Sequence, residues 1–450
     1  MHAPSAPRDS WATRAGFILA AVGSAVGLGN MWRFSYIASQ GGGAAFVLTY
    51  LVLVAFVGIP LMTSEFVVGR LAQQSPVLAI KRMAGPRWAF LGWLFVICGL
   101  GILSYYSVIA GWTLRYAIDA VRNAIPADTG AYFGEVSAGP DALIAHLIFM
   151  AATIFIVARG VKGGVERANL IMMPLLFFIL VALAVWAATL PNGGAGYGYY
   201  LRPDLRELLN PEIIADAAGQ AFFSLSLGMG ALMTYASYLR SKENLAREAT
   251  TVALADFGVA FLAGLVVFPV IFNFGLNDQI AESAVGALFI ALPAGFEQLG
   301  RLGDFVDSAF FVMLLFAALT SAISLLEVVV AAVVDGLGWA RKKAALAAGA
   351  FIALLGVPSA FNTDILGAAD QIVGNFLLIV GGLFIAILVG FPLRERAEAE
   401  LAMGMRSEAA RRAWIVFLRF VAPPILLGVI IFLAEPTWAA VLTLFGAGGG

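Results

Sequence analysis

The sequence predicts an all-α polytopic membrane protein with eleven transmembrane helices, and three observations carry that expectation. Apolar residues make up 61% of the 450 and charged residues only 12%, about half the charged share of an ordinary soluble domain. Apolar stretches of about 20 residues, the length that crosses hydrocarbon, recur along the chain with short charged connections between them. Two of those stretches, the first and the sixth, are interrupted at mid-length by glycines and small polar residues.

The spans read as residues 13–36, 43–70, 89–122, 141–159, 166–190, 212–239, 245–275, 304–336, 344–360, 368–392 and 412–434. With a cytoplasmic N-terminus, the inner connections collect 20 of the 27 Lys and Arg residues, among them Arg70, Lys81, Arg82, Arg87, Arg341, Lys342 and Lys343. The positive-inside rule therefore orients the chain in the cell's inner (plasma) membrane, and an odd number of spans leaves the C-terminus outside. The stretch from Pro191 to Pro211 is rich in Gly and Tyr and too polar to span. Ala281 to Phe296 contains two apolar pieces broken at Ala291-Leu292-Pro293; a helical hairpin over the outer entrance fits it, and a plain exposed connection fits nearly as well.

The first interruption is Gly23-Ser24-Ala25-Val26-Gly27-Leu28-Gly29-Asn30. Glycine costs roughly 1 kcal/mol per helical residue relative to alanine. Backbone groups freed at that depth must be buried in protein or line a cavity, where carbonyls bind cations and N–H groups bind anions. Close helix packing would account for the glycines, but not for Ser24 and Asn30. The second interruption, Phe222-Phe223-Ser224-Leu225-Ser226-Leu227-Gly228-Met229-Gly230, lies five spans later. Broken helices in corresponding positions point to an inverted repeat with a binding site at its centre.

Other chemistries are poorly supported. A net charge of −1 without a basic tract gives no reason to expect nucleic acid. Cys98 is the single cysteine, so no intramolecular disulfide forms, and His2 and His146 cannot build a metal site between them. The polar start and the glycines and Arg33 of the first apolar run indicate no removable signal peptide. An intramembrane hydrolase lacks a nucleophile and base pair, so no catalytic residue is assigned.

Trp11-Ala12-Thr13-Arg14, Gly23 to Asn30, Arg33-Phe34, Gly58-Ile59-Pro60-Leu61, Glu65 to Arg70, Gly219-Gln220 through Tyr238, and Ala317 through Ser321 together resemble the neurotransmitter:sodium symporter family. The resemblance runs from about Trp11 to the last span. It implies a 5+5 inverted repeat with helices 1 and 6 unwound and helix 11 appended, a fold carried over from the family and owing nothing to periodicity. Residues 1–10 would then be a cytoplasmic segment, 11–190 the first repeat, 191–211 an outer connection, 212–393 the second repeat, and 394–450 an inner connection, the last span and an outer C-terminus.

The resemblance further implies two sodium sites. One would use the carbonyls of Gly23, Val26 and Ala317 with the hydroxyls of Thr320 and Ser321. The residues alone allow another use of those hydroxyls, bonding back to their own helix. The other site would use the Ala25 carbonyl, Asn30, Ser224 and Asp256, completed by a substrate carboxylate. Asp256 departs from the family's leucine transporter, which has an amide there, and a buried acid requires a cation or a proton. Chloride-dependent members hold an anion near Tyr50, Gln220 and Ser224 with a serine that is Ala260 here. Asp256, one helical turn from Ala260, could supply that charge, so transport independent of chloride is expected.

For the substrate, Tyr106 matches the family's carboxylate-binding tyrosine, with the N–H groups near Leu28 and Gly29 beside it. The ammonium would meet carbonyls of Ala25, Phe223 and Ser224, with Ser226 near. The side-chain pocket would be lined by Ser24, Leu28, Ile102, Phe223, Met229, Ser321 and Leu325; taken alone, Ile102 and Leu325 read as ordinary packing residues. Gly27 stands where monoamine members carry an aspartate, which favours a substrate bringing its own carboxylate. The pocket is uncharged, so a neutral, hydrophobic L-amino acid is expected, with a small neutral amino acid or an amine as the alternative. Arg33 and Asp370 would form the outer gate. Arg8 and Asp335 would form the inner one, among Trp11, Ser237, Tyr238 and Glu327, the last of which replaces a glutamine. The expected function is sodium-coupled symport by alternating access. A membrane sensor that binds an amino acid without moving it would share every pocket residue.

Overall fold

The structure, a computed structural model, describes residues 9–239, 243–276 and 286–444. Helices account for the regular structure throughout. We number those that place the site: α1 (Arg14–Ala25), α2 (Leu28–Gln40), α3 (Ala44–Ala72), α4 (Pro86–Val121), α5 (Pro140–Ala158), α6 (Val161–Ala187), α7 (Pro211–Ser224), α8 (Ala231–Ala236), α9 (Leu245–Phe274), α10 (Leu288–Glu297), α11 (Arg301–Leu337), α12 (Arg341–Phe361), α13 (Thr363–Gly390) and α14 (Glu408–Leu444).

Among the described residues nine helices are long and apolar enough to cross a membrane, and α1 with α2, bent by 41° at their break, makes a tenth span. The expected eleventh is the discontinuous pair α7 and α8, each piece of which is shorter than a span. The count of eleven thus rests on reading that pair as one crossing. The break expected at Ala291-Leu292-Pro293 is absent. Ala291 has helical φ and ψ, and a π-helical turn at Ala287–Ala291 runs directly into the α-helical turn that contains Pro293. Residues 281–285 of that expected hairpin lie outside the described residues.

Lipid-facing and buried faces sort as the composition requires. Phe155, Phe178, Val185 and Ile431 are exposed on the outer helices, while α4 and α11 pack along one another in the interior. Helix α1 is wedged against α6, α9 and α11. Its start is fixed twice over. Thr13 caps it by accepting from the Gly16 N–H (2.9 Å). Glu166, at the end of a π-helical turn of α6, accepts from the Ala12 N–H (2.7 Å), the Thr13 N–H (3.1 Å) and the Thr13 hydroxyl (2.8 Å). A carboxylate on the free N–H groups of a helix start is favourable both as an acceptor and as a charge.

Candidate functional site

Both interruptions are real breaks in the helical ladder. After Ala25 the chain passes through Val26 (ψ 107°) and Gly27 (φ −140°, ψ −164°), extended conformations, before α2 begins at Leu28. The second break is longer: α7 ends at Ser224, α8 begins at Ala231, and Ser226, Gly228 and Gly230 all have positive φ. Glycine takes that region freely, whereas Ser226 does so at a cost. Glu65 of α3, fully buried, holds the opened segment by accepting from the N–H groups of Gly228 (2.8 Å) and Met233 (3.4 Å).

The two breaks are tied to each other. Gln220 Nε2 donates to the Gly29 carbonyl (3.0 Å), Asn30 Nδ2 to Ser224 Oγ (3.0 Å), and Ser226 Oγ to the Ser24 carbonyl (2.7 Å). Asn30 Oδ1 also accepts from the Gly27 N–H (2.9 Å), which steadies the extended turn.

Asp256 of α9 lies beneath this junction, with 0% of its surface exposed. Its carboxylate accepts from Asn30 Nδ2 (2.7 Å), Ser224 Oγ (2.8 Å) and the Tyr50 hydroxyl (3.2 Å). Among the described residues no Lys or Arg pairs with it. Asn30, Ser224 and Asp256 therefore meet in one cluster, and Ala25 lines the cavity above it. A fully buried carboxylate satisfied only by neutral donors is a place where a cation would be stabilised.

A second set of oxygens gathers around Ser321 of α11. Its hydroxyl lies 3.4 Å from the Gly23 and Ser24 carbonyls and 3.3 Å from that of Val26. These separations exceed the usual O–H···O length. Thr320 bonds back to Phe316 (3.1 Å) and Ala317 (3.0 Å), the helix-internal use its residue type allows. Among the described residues no three His, Cys, Asp or Glu side chains converge. Any ion here must accept carbonyl, hydroxyl and amide oxygen, the preference of a hard cation.

Between the oxygen clusters lies a cavity of about 340 Å³. Ser24, Ala25, Gly29, Ile102, Tyr106, Phe223, Ser224, Ser226, Met229, Ser321 and Leu325 line it, as expected, together with Gly27. Leu28 is a correction: it does not line the cavity. Leu28 is the first residue of α2; its side chain is fully buried and its N–H donates to the Tyr106 hydroxyl (3.3 Å). A side chain at Gly27 would press on the site, since a Cβ there would meet Ser321 Oγ at 2.5 Å and the Tyr106 hydroxyl at 3.2 Å, and the serine hydroxyl would have to move. At the floor, Ser24 Oγ donates to Ser324 Oγ (2.8 Å), a partner sequence reasoning missed.

The outer gate differs from expectation. Arg33 and Asp370 form no ion pair. The Arg33 guanidinium lies over the Phe223 ring (5.1 Å), and Asp370 accepts from the Tyr105 hydroxyl (2.8 Å). At the other end Arg8 lies outside the described residues, and Asp335 accepts from the Ser75 N–H (2.6 Å). Glu327, for which the sequence offered no role, is the hub there: it pairs with Arg341 and accepts from the Tyr238 hydroxyl (2.6 Å), while Arg341 reaches Asp9 (3.1 Å). Trp11 closes the cluster by donating to the Tyr235 carbonyl (2.9 Å) and standing edge-on to Tyr235 and Tyr238. Glu65, an acid within an apolar run, could have been flagged by that feature alone.

This geometry can be set beside known proteins. A family profile described as the sodium:neurotransmitter symporter family matches residues 8–133 and 133–439. An uncharacterized sodium-dependent transporter of Bacillus subtilis, YhdH, is 38% identical over 92% of this chain and 95% of its own. One from Methanocaldococcus jannaschii, MJ1319, is 36% identical over 95% and 90%. Among solved structures, the crystal structure of MhsT in complex with L-phenylalanine superposes with a TM-score of 0.87 at 42% identity, covering 94% of this chain and 99% of that one.

Proposed function

This chain belongs to the sodium:neurotransmitter symporter family, and from that premise we propose that it is a sodium-coupled symporter of neutral, hydrophobic L-amino acids that works by alternating access without chloride. Family members are transporters, not enzymes. The observation that carries the proposal is the cavity between two broken helices, uncharged along its sides and flanked by oxygen clusters.

In the first sodium site Asn30, Ser224, Asp256 and the Ala25 carbonyl would surround the ion, and the substrate carboxylate would complete the shell. In the second, Gly23, Val26, Ala317, Thr320 and Ser321 would do so. An ion near calcium in size takes oxygens at about 2.3–2.6 Å, so neighbouring ligands of an octahedral shell stand roughly 3.3–3.7 Å apart. The spacing of Ser321 Oγ from the Gly23, Ser24 and Val26 carbonyls falls at the short end of that range.

Tyr106 and the amides near Leu28 and Gly29 would take the carboxylate; carbonyls of Ala25, Phe223 and Ser224 would take the ammonium. Ile102, Met229 and Leu325 give the side chain an apolar wall. A charged side chain there would be left without a partner at a cost of several kcal/mol. MhsT, crystallised with L-phenylalanine, agrees with this substrate class. Asp256 would provide the fixed negative charge that an anion provides elsewhere in the family. Binding of sodium and of substrate then reinforce each other by the same factor. On this reading the repeats are residues 11–190 and 212–393, the membrane is the plasma membrane, and the N-terminus is cytoplasmic.

Reconstitution tests it: purified protein in liposomes, an inward sodium gradient against a potassium control, and a panel of labelled amino acids. Accumulation of a hydrophobic amino acid that needs sodium and ignores external chloride is expected. Binding without accumulation would make the protein a sensor, and uptake confined to decarboxylated amines would overturn the argument from Gly27.

A further inference from the structure

Away from the central cavity, a second one of about 410 Å³ opens between the end of α4, the segment after it, the helix α10 and the start of α11. Three carboxylates line it, Glu297 of α10 and Asp304 and Asp307 of α11, and among the described residues no Lys, Arg or His does. The rest of its wall combines the apolar Ile125, Pro126, Pro293 and Phe296 with the polar Asn123 and Thr129.

The decisive group is Asp307. Its residue surface is only 9% exposed, and Oδ1 is buried without a hydrogen-bond partner. Nearly all buried polar atoms in folded proteins are satisfied, and an orphaned one calls for a physical reason. The neighbouring acids do not share that condition. Asp304 is exposed in the first turn of α11, where the helix dipole favours it, and Asp119 close by is already held by Arg115 (2.7 Å) and Tyr132. Packing and the helix dipole therefore account for Asp304 and Asp119 and leave Asp307 unexplained.

We propose that this outer cavity is a binding site for a protonated organic amine, whose ammonium pairs with Asp307 under the influence of Asp304 and Glu297 and whose apolar body lies on Phe296 and the prolines. A chelated metal is disfavoured because, among the described residues, no three carboxylates come close enough together to hold one. An amino-acid zwitterion is disfavoured because its carboxylate would face three like charges. Since α10 forms one wall and α11, which carries Thr320 and Ser321, another, an occupant would couple the outer surface to the helix that lines the transport cavity.

The test is titration calorimetry on the purified full-length protein in sodium-free potassium buffer, with phenethylammonium, L-phenylalanine, 2-phenylethanol and calcium as probes. Saturable binding of phenethylammonium alone is expected, weakened at least tenfold by Asp307→Asn and severalfold by Asp304→Asn. Asp304 is exposed, so its variant keeps the fold; sodium-dependent uptake by Asp307→Asn reports on that variant's fold independently. Equal binding by wild type and both variants, binding of the alcohol, or no saturable binding would overturn the proposal. Calcium binding lost in the same variants would replace the amine with a metal.

Discussion

Replacing Asp256 with asparagine removes a charge without changing the shape of the side chain. In the structure this carboxylate is fully buried and held by three neutral donors, Asn30, Ser224 and Tyr50, with no ion pair to a cationic side chain among the described residues. A unit charge about 4 Å from a sodium ion contributes about 4 kcal/mol at the effective dielectric constant of about 20 that suits protein sites. The asparagine dipole and relaxation of the donors recover part of this, so a loss of about 1.4–2.8 kcal/mol is expected, a ten- to hundredfold rise in the sodium concentration for half-maximal uptake. The assay is labelled amino-acid uptake into proteoliposomes across a sodium series, with and without external chloride. Sodium dependence should weaken, and the variant should respond to chloride where the proposal expects the wild type not to, more so with Ala260→Ser added. An unchanged half-saturation for sodium would refute the assignment of Asp256 to the ion's surroundings.

Three further outcomes follow from the geometry. Gly27→Ala should weaken substrate and sodium binding, because its Cβ would meet Ser321 Oγ at 2.5 Å and push that hydroxyl from its place; equilibrium binding checks this, with size-exclusion behaviour reporting on the fold. Tyr106→Phe should raise KM at least tenfold, matching the roughly 1.5–3 kcal/mol of a hydrogen bond to a charged group, while leaving thermal stability close to wild type. Glu327→Gln breaks an ion pair whose carboxylate is fully buried while Arg341 is partly exposed and keeps Asp9, so the loss should fall below the roughly 3–5 kcal/mol of a fully buried pair. It should expose the inner face, read as faster labelling of a cysteine placed at Ser237 and a lower apparent sodium affinity.

Much of this architecture is legible in the residues because lipid imposes a simple rule on composition. The expected spans 245–275 and 43–70 differ from the observed helices by no more than two residues at each end. Other ends are missed by three to five residues, as at the start of α6 and of α13, and the largest miss is α14, which runs to Leu444, beyond the expected 434, with Pro436 inside the helix. Helix breaks are legible for the same reason, since Gly and Ser replace Leu where ladder bonds are lost.

Side-chain direction at the breaks is harder to read. Leu28 and Gly29 both read as pocket residues, yet Gly29 lines the cavity while Leu28 is buried at the start of α2. Tertiary partners are harder still. Arg341 reads as one of several inner charges until the turn at Gly338 brings α12 back against Glu327. Tyr105 reads as a neighbour of Tyr106 until the π-helical turn starting at Asp370 brings that acid to its hydroxyl.

The three cross-links between the discontinuous helices, Gln220 to Gly29, Asn30 to Ser224 and Ser226 to Ser24, leave neither half of the polypeptide free to change alone. A hybrid joining the front of this protein to the rear of a distant cousin would inherit each helix intact and lose their stitching. Such chimaeras should insert and fold yet fail to load their cargo, and compensating changes should appear as matched pairs across the two halves.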